Sequence, residues 1–533
     1  MIKLLNKIFF SRQSAVMLIF ILVFALTGPL SAAREEEGLS AGSDHIDLFA
    51  RAFTNRSALI RGEADYDFSR NALEDLIYQF DREELESLAG SPYLEKLVSD
   101  DRDVITADAL SFEQALQDVD FLFKTLKFGY AGYQIYGGDE RFSQARREIT
   151  AELESRAAVG EEILLAEFED ILYTGINFIE DTHFSLAGRQ MGVNYTLYVS
   201  NQYVFNKVKE EGITYYEKKG ENERFVSLGD RGPDETMWPV LDQNGQLIYL
   251  PGVFRPYDPD HDEGLQEKMQ LTAEDDQTAK EIALLLYPLN GSGQAQNMRI
   301  YRKSEIEGIP LIEVGTFAAR DQFSSQYLEN FVADAADLRD ASSLIIDIRG
   351  NTGGSDQYPY SWMQNFTGQQ DISRNSLSVN VRTEVSKKLM GNSLSLFPEA
   401  QQDQLRQQLT EHFTPLVEGW GEIHTAVPQF ISNETKIVVL LDSRVMSAGE
   451  SFVRYLQQLE NVIFIGGNTR GMGMVGNVGR FKLPNSGIEV LAGVTIFLDT
   501  DLVNREGKGY LPDFWVEPGQ ARNIAVEILS AEN

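Results

Sequence analysis

Leu344-Ile-Ile-Asp-Ile-Arg-Gly-Asn-Thr-Gly-Gly354 decides how this chain is read. Ser343-Leu-Ile-Ile-Asp-Ile348 is a short, nearly continuous apolar run, as a strand covered on both faces requires. Gly350-Asn-Thr-Gly-Gly354 breaks it, and glycines there let the backbone turn its N–H groups outward. Working outward, Ile309-Pro-Leu-Ile-Glu-Val314 reads as a strand and Gln322 to Leu338 as a helix. Lys436-Ile-Val-Val-Leu-Leu441 is a second buried strand, followed by a helix from Ala448 to Leu459 and a strand from Val462 to Ile465. Strands alternating with helices, with glycines at the strand ends, predict an α/β domain whose working loops sit at strand termini.

The rest of the chain divides by pattern. Residues 1–33 carry Lys3, Lys7 and Arg12, then the apolar run from Val16 to Thr27, then Ser31-Ala32-Ala33, which reads as a secretory signal peptide. The competing reading of that run is an uncleaved membrane anchor, for which it is short. Export places the protein in the periplasm or outside the cell, with no stable membrane insertion once the signal is removed. Residues 34–190 read as a helical domain: Ser111-Phe-Glu-Gln114 has the form of a capping box, and apolar stripes run through Asn71–Leu88, Leu116–Leu126 and Glu161–Ile179. Residues 191–308 change to short β-type runs such as Tyr195–Val199, separated by Gly, Asn, Asp and Pro turns. Within them Asp258-Pro-Asp-His-Asp262 has a superficial likeness to a calcium loop, but its glycine and its twelfth residue, Met269, are misplaced, so it reads as an exposed acidic turn. The remainder, 309–533, is the α/β domain. Its aromatic residues Tyr358, Tyr360, Trp362 and Phe366 read as core.

Composition limits the function classes. The 533 residues carry a formal net charge of −34, which repels nucleic acid, and no cysteine, which excludes disulfides and thiol chemistry. Among the groups left, Ser447 is the most informative: it follows a buried strand and a short turn and opens the helix Ala448-Gly-Glu-Ser-Phe-Val-Arg-Tyr-Leu456. Ser447-Ala-Gly-Glu450 is itself a capping box, and that reading needs no chemistry. The same position suits a nucleophile, because a helix N-terminus offers free amides and favours developing negative charge. A nucleophile and a glycine-rich amide nest at the ends of two buried strands of one domain are more telling together than either alone.

The segments Ile345–Gly354, Val438-Val-Leu-Leu-Asp442 with Ser447-Ala-Gly-Glu450, Ile465-Gly-Gly-Asn-Thr-Arg-Gly-Met-Gly473 and Gly509-Tyr-Leu-Pro-Asp513 occur in one order. In this the chain resembles the tail-specific, or carboxyl-terminal processing, serine peptidases over roughly Ile309 to Pro518. The resemblance implies a crotonase/protease-like β-β-α spiral core, Ser447 as the nucleophile, and the Gly353 and Ala448 amides as the oxyanion hole. Many relatives use a lysine in a T-x-G-K-G segment; here that segment is Thr469-Arg-Gly-Met472-Gly473, and methionine takes no proton. The chain is more similar to the branch of the tricorn core protease and the interphotoreceptor retinoid-binding protein. That likeness implies a histidine supplied by the N-terminal region, here His183 in Asp181-Thr-His183, and a glutamate, here Glu506 with the spacing E-x-x-G-x-x-P-D.

Imidazole chemistry agrees, since a serine hydroxyl needs a base whose pKa lies near the working pH. Of the five histidines, His45, His261, His412 and His424 sit in polar segments without such a motif. The competing readings are a histidine that closes the helical region for His183, and a solvated turn carboxylate for Glu506. The expectation is therefore an exported serine peptidase acting on peptide or protein substrates, with neither metal nor organic cofactor. The alternative is a non-catalytic ligand- or peptide-binding protein on the same fold. Relatives often carry a PDZ domain; the 191–308 region stands in its place as a degenerate PDZ-like unit at best.

Overall fold

The computed structural model describes residues 47–59, 73–97, 108–158, 162–257, 264–273, 279–289, 299–396, 399–412, 419–424 and 429–531. The signal segment, the Asp258–Asp262 turn, His45 and His261 lie outside them.

The stretch that decides the fold does form a strand, Ser343–Asp347, every residue of it buried. It lies between Ile309–Val314 and Lys436–Leu441, parallel to both, and Val462–Gly466 and Phe514–Trp515 extend the parallel run. Tyr301–Ile306 adds an antiparallel edge. Strand periodicity of two then sorts the side chains. Leu344, Ile346, Ile437, Val439 and Leu441 face a layer that includes the helices Gln322–Leu338, Gln357–Thr367 and Ala448–Leu456. Ile345, Val438 and Leu440 face the other layer, with Ala521–Ala531 and the helix Leu48–Leu59. Trp362 and Phe366 are fully buried, as their spacing predicts.

A second sheet joins the N-terminal region to this domain. Glu489–Asp499 pairs with Ser376–Arg382, with Val475–Lys482 and with the short strand Ser185–Leu186. One continuous apolar cluster runs from Leu122, Leu126 and Phe168 of the helices to Val379, Val490 and Ile496 of the strands. The Ser111 capping box is present, with both reciprocal bonds, at the head of Phe112–Gly129. Among the described residues of the stripe from Asn71 to Leu88, 73–74 and, after a turn and extended chain, Arg82–Leu88 are helical. There the Asp81 side chain accepts the Glu84 N–H and starts the helix locally.

The β-rich middle forms an antiparallel ring. From Leu247–Pro256 the pairing passes through Tyr195–Val199, Lys280–Pro288, Leu265–Ala273, Glu223–Leu228, Ile213–Lys218 and Phe205–Glu210. It returns to Leu247–Pro256 through the pair Tyr249↔Phe205. Tyr198, Phe205, Tyr216, Met269 and Leu284 share one buried cluster. The ring joins the main sheet through Met237–Leu241, which pairs with Phe514–Trp515.

Candidate active site

Ser447 stands between the strand Lys436–Leu441 and the fully buried helix Ala448–Leu456. Its backbone has φ 53° and ψ −122°, a region that non-glycine residues rarely occupy and that costs about 1–3 kcal/mol. Surrounding bonds hold it there. The Met446 N–H donates to the Asn351 carbonyl (3.0 Å), and the Gly449 N–H to the Met446 carbonyl (2.9 Å). Glu450 Oε2 accepts the Ser447 N–H at 3.2 Å. The Glu450 N–H goes to the Ser447 carbonyl at 2.8 Å, and Ser447 and Glu450 stand in the reciprocal capping-box arrangement that their spacing predicts. Ser447 is half-buried at the positive end of the helix.

The glycine-rich bend packs directly on this turn. Gly353 has φ +79°, and a Cβ placed on it would come within 2.8 Å of the Ser447 Cβ and 3.1 Å of the Ala448 nitrogen. Only glycine fits that approach. The Ala448 N–H has no acceptor among the described residues. The Gly353 N–H is donated to Asn351 Oδ1 at 2.9 Å, and the Asn351 Nδ2 in turn holds the Val314 carbonyl at 3.0 Å. The two amides therefore adjoin the serine in unequal states, one free and one engaged.

Glu450 does more than its place in a capping box predicts. It is buried, and its carboxylate takes four donors: Ser447 N–H, the Thr469 hydroxyl (2.5 Å), Gly471 N–H (2.7 Å) and Met472 N–H (2.7 Å). Burial raises its pKa, and those four donors pull it back. The serine helix is thereby tied to the Thr469–Gly473 segment, where Met472 is buried and its amide is spent on Glu450.

The same segment receives the residues from the N-terminal region. The Thr182 hydroxyl lies 2.9 Å from the Gly471 carbonyl and in close contact with Glu506 Oε1, to which the Thr182 N–H also donates at 2.8 Å. The Met474 N–H reaches Glu506 Oε2 at 3.3 Å. Glu506 thus grips Thr182, one residue before His183, and no hydrogen bond joins it to the imidazole. Asp181, wholly buried, accepts the His183 N–H (2.8 Å) and the Tyr130 hydroxyl (2.6 Å). The His183 ring sits by the Val475 backbone and beside Gly476; its Nδ1 is buried without a partner. Burial pushes its pKa down to about 4, against a smaller upward pull from the Val475 backbone. Among the described residues no hydrogen bond joins His183 to Ser447. Both rest on the Thr469–Met474 segment, one through Thr182 and Glu506, the other through Glu450.

Thr182 and Glu450 are site residues that the motif reading did not single out. Glu450 was visible only as a helix cap, and nothing in the local sequence of Thr182 marks its reach to residues 471 and 506. His424 is exposed and pairs through its backbone with Ser378. Among the described residues no group of three or more His, Asp or Glu could hold a metal ion. No helix there is long and apolar enough to cross a membrane.

Residues 309–516, which span the Gly353 bend, the Ser447 turn and Glu506, match the family model of peptidase family S41. Over those residues the chain is similar to the S41 peptidases. Solved structures with low-level similarity include mature CPAF complexed with lactacystin, at 14% identity over 79% of this chain and 97% of that one (TM-score 0.39). The photosystem II D1 C-terminal processing protease matches at 12% identity over 76% and 93% (TM-score 0.32). Tricorn protease matches at 12% over 79% of this chain and 37% of its own (TM-score 0.33). No curated protein matches the chain. The likeness to S41 rests on the 309–516 match, which supports a peptidase.

Proposed function

We propose that the protein is an exported serine peptidase in which Ser447 attacks the scissile carbonyl and His183 takes and returns the proton. The observation that carries this reading is the Ser447 turn: a strained φ of 53° at a buried helix N-terminus, with a free Ala448 amide beside it. A serine serving only as a cap needs no such backbone. The Ala448 amide would steady the oxyanion. Gly353 would supply the second donor once its N–H leaves Asn351 for the substrate, consistent with sites whose hydrogen bonds tighten only in the complex. His183, held neutral by burial, is in the form that accepts a proton. Glu506 acts on it through Thr182, fixing the peptide that carries the ring.

Purified protein lacking residues 1–33 should hydrolyse unstructured peptides. Ser447→Ala should reduce turnover to background, and His183→Ala should lower it by roughly 10²–10⁴-fold, the usual share of a general base. The engaged Gly353 amide, Met472 in the lysine position and the lack of a His183–Ser447 bond favour a second reading, a binding protein without turnover. Saturable peptide binding with equal, background hydrolysis by wild type and Ser447→Ala would select it.

A further inference from the structure

A count of protons around Thr182 leads beyond the roles above. One hydroxyl carries one proton, yet the Thr182 oxygen has two oxygen neighbours, the Gly471 carbonyl at 2.9 Å and Glu506 Oε1. The carbonyl can only accept, and it already takes the Gly507 N–H at 2.9 Å. If Glu506 were ionised, one of these two contacts would set lone pair against lone pair. A proton on Glu506 satisfies both: Thr182 donates to Gly471, and Glu506 donates to Thr182.

The neighbours place the proton on this group and not on another. Asp181 is wholly buried and Glu506 half-buried, and the Asp181 charge acts on Glu506, with the Tyr130 and Tyr136 phenols near enough to feel both. A like charge so near disfavours the ionised form of each carboxyl, which favours a proton on one of them. Asp181 accepts two well-formed donors, Tyr130 O–H and His183 N–H, and so suits the anion. Glu450, reaching the other end of Gly471, is likewise filled by four donors. Glu506 has one good donor, the Thr182 N–H, and a long one from Met474. Cations close in the chain are engaged elsewhere, Arg505 with Asp499 and Asp501 and Lys508 towards Glu180 and the Tyr195 ring. The His183 imidazole, neutral by burial, adds no positive charge.

We infer that Glu506 is a neutral, proton-bearing acid at neutral pH, a positioning residue that holds Thr182, and so the His183 segment, by donating a hydrogen bond. Its functional meaning rests on the catalytic reading of His183; its protonation does not. Burial first, and the Asp181 charge second, push its pKa up to about 8. The protonated form is thus favoured by the fold, and the stability it lends is lost as pH rises from the unfolded carboxylate range through pH 8.

The test compares thermal unfolding of wild type and Glu506→Gln from pH 5 to pH 9. The wild-type midpoint should fall relative to the variant between pH 5 and pH 8 and then run parallel to it. A difference that does not change with pH would overturn the inference. If Glu506→Gln does not fold, infrared spectra of protein labelled with ¹³C-carboxyl glutamate replace it. A protonated glutamate carbonyl band at pH 6.5, lost above pH 9 and shifted in Thr182→Val, supports the proposal; only ionised glutamate bands at pH 6.5 refute it. Where turnover is measurable, wild-type kcat should decline above about pH 8, a limb absent in Glu506→Gln. Melts and spectra need no turnover, so a protein without peptidase activity would defeat the catalytic reading and leave this one standing.

Discussion

Ser447 holds a backbone conformation that glycine would adopt without strain. Ser447→Gly should therefore raise stability in denaturant by about 1 kcal/mol while removing the proposed nucleophile, a gain that a serine in relaxed geometry would not give. His183 supplies the second residue-level test. Its folded pKa lies below the ordinary histidine value, so the fold favours the neutral ring. The stability this gives is present above pH 6.5 and lost as pH falls towards 4. Wild type should lose its midpoint advantage over His183→Gln across that window, and the acid limb of kcat/KM should centre well below pH 6. Ser447 was legible because its S-x-x-E spacing and preceding strand are local signals. Thr182 was not, because its partners stand 289 and 324 residues away.

At the scale of elements, two turns and one loop are fitted to each other. Gly353→Ala would set a methyl 2.8 Å from the Ser447 Cβ on a backbone with φ +79°, so activity should fall steeply and stability by more than 1 kcal/mol. Glu450→Ala would strand four donors, three of them backbone amides, and should cost about 3 kcal/mol or more in urea unfolding. The parallel strands Ile309–Val314, Ser343–Asp347, Lys436–Leu441 and Val462–Gly466 could be read from sequence because burial on both faces writes a continuous apolar run. The middle ring could not, since alternating strands such as Leu265–Ala273 reveal one buried face but not which strand they pair with.

Over the whole molecule, the site is assembled from ends of the chain that meet only after folding. Ser185–Leu186 pairs with Glu489–Asp499, which brings Asp181, Thr182 and His183 to the α/β domain. At the far end of that long strand, Asp499 binds Arg454 of the serine helix (3.1 Å), Arg505 beside Glu506 (2.9 Å) and the Tyr510 hydroxyl (2.6 Å). Asp499→Asn would leave two largely buried guanidinium groups short of charge and should cost about 3–5 kcal/mol, with the Ser447 and Glu506 elements loosened together. Read from sequence, the N-terminal region was a helical domain supplying a histidine; the strand that delivers it is two residues long, too short for any periodicity to announce.

The central claim is that Ser447 is a nucleophile. Treating the protein with a fluorophosphonate and mapping the adduct by peptide mass spectrometry tests it most directly. One covalent label on Ser447, absent from Ser447→Ala and slowed in His183→Ala, is the predicted result. An unlabelled wild type, or a label that survives in Ser447→Ala, would contradict it.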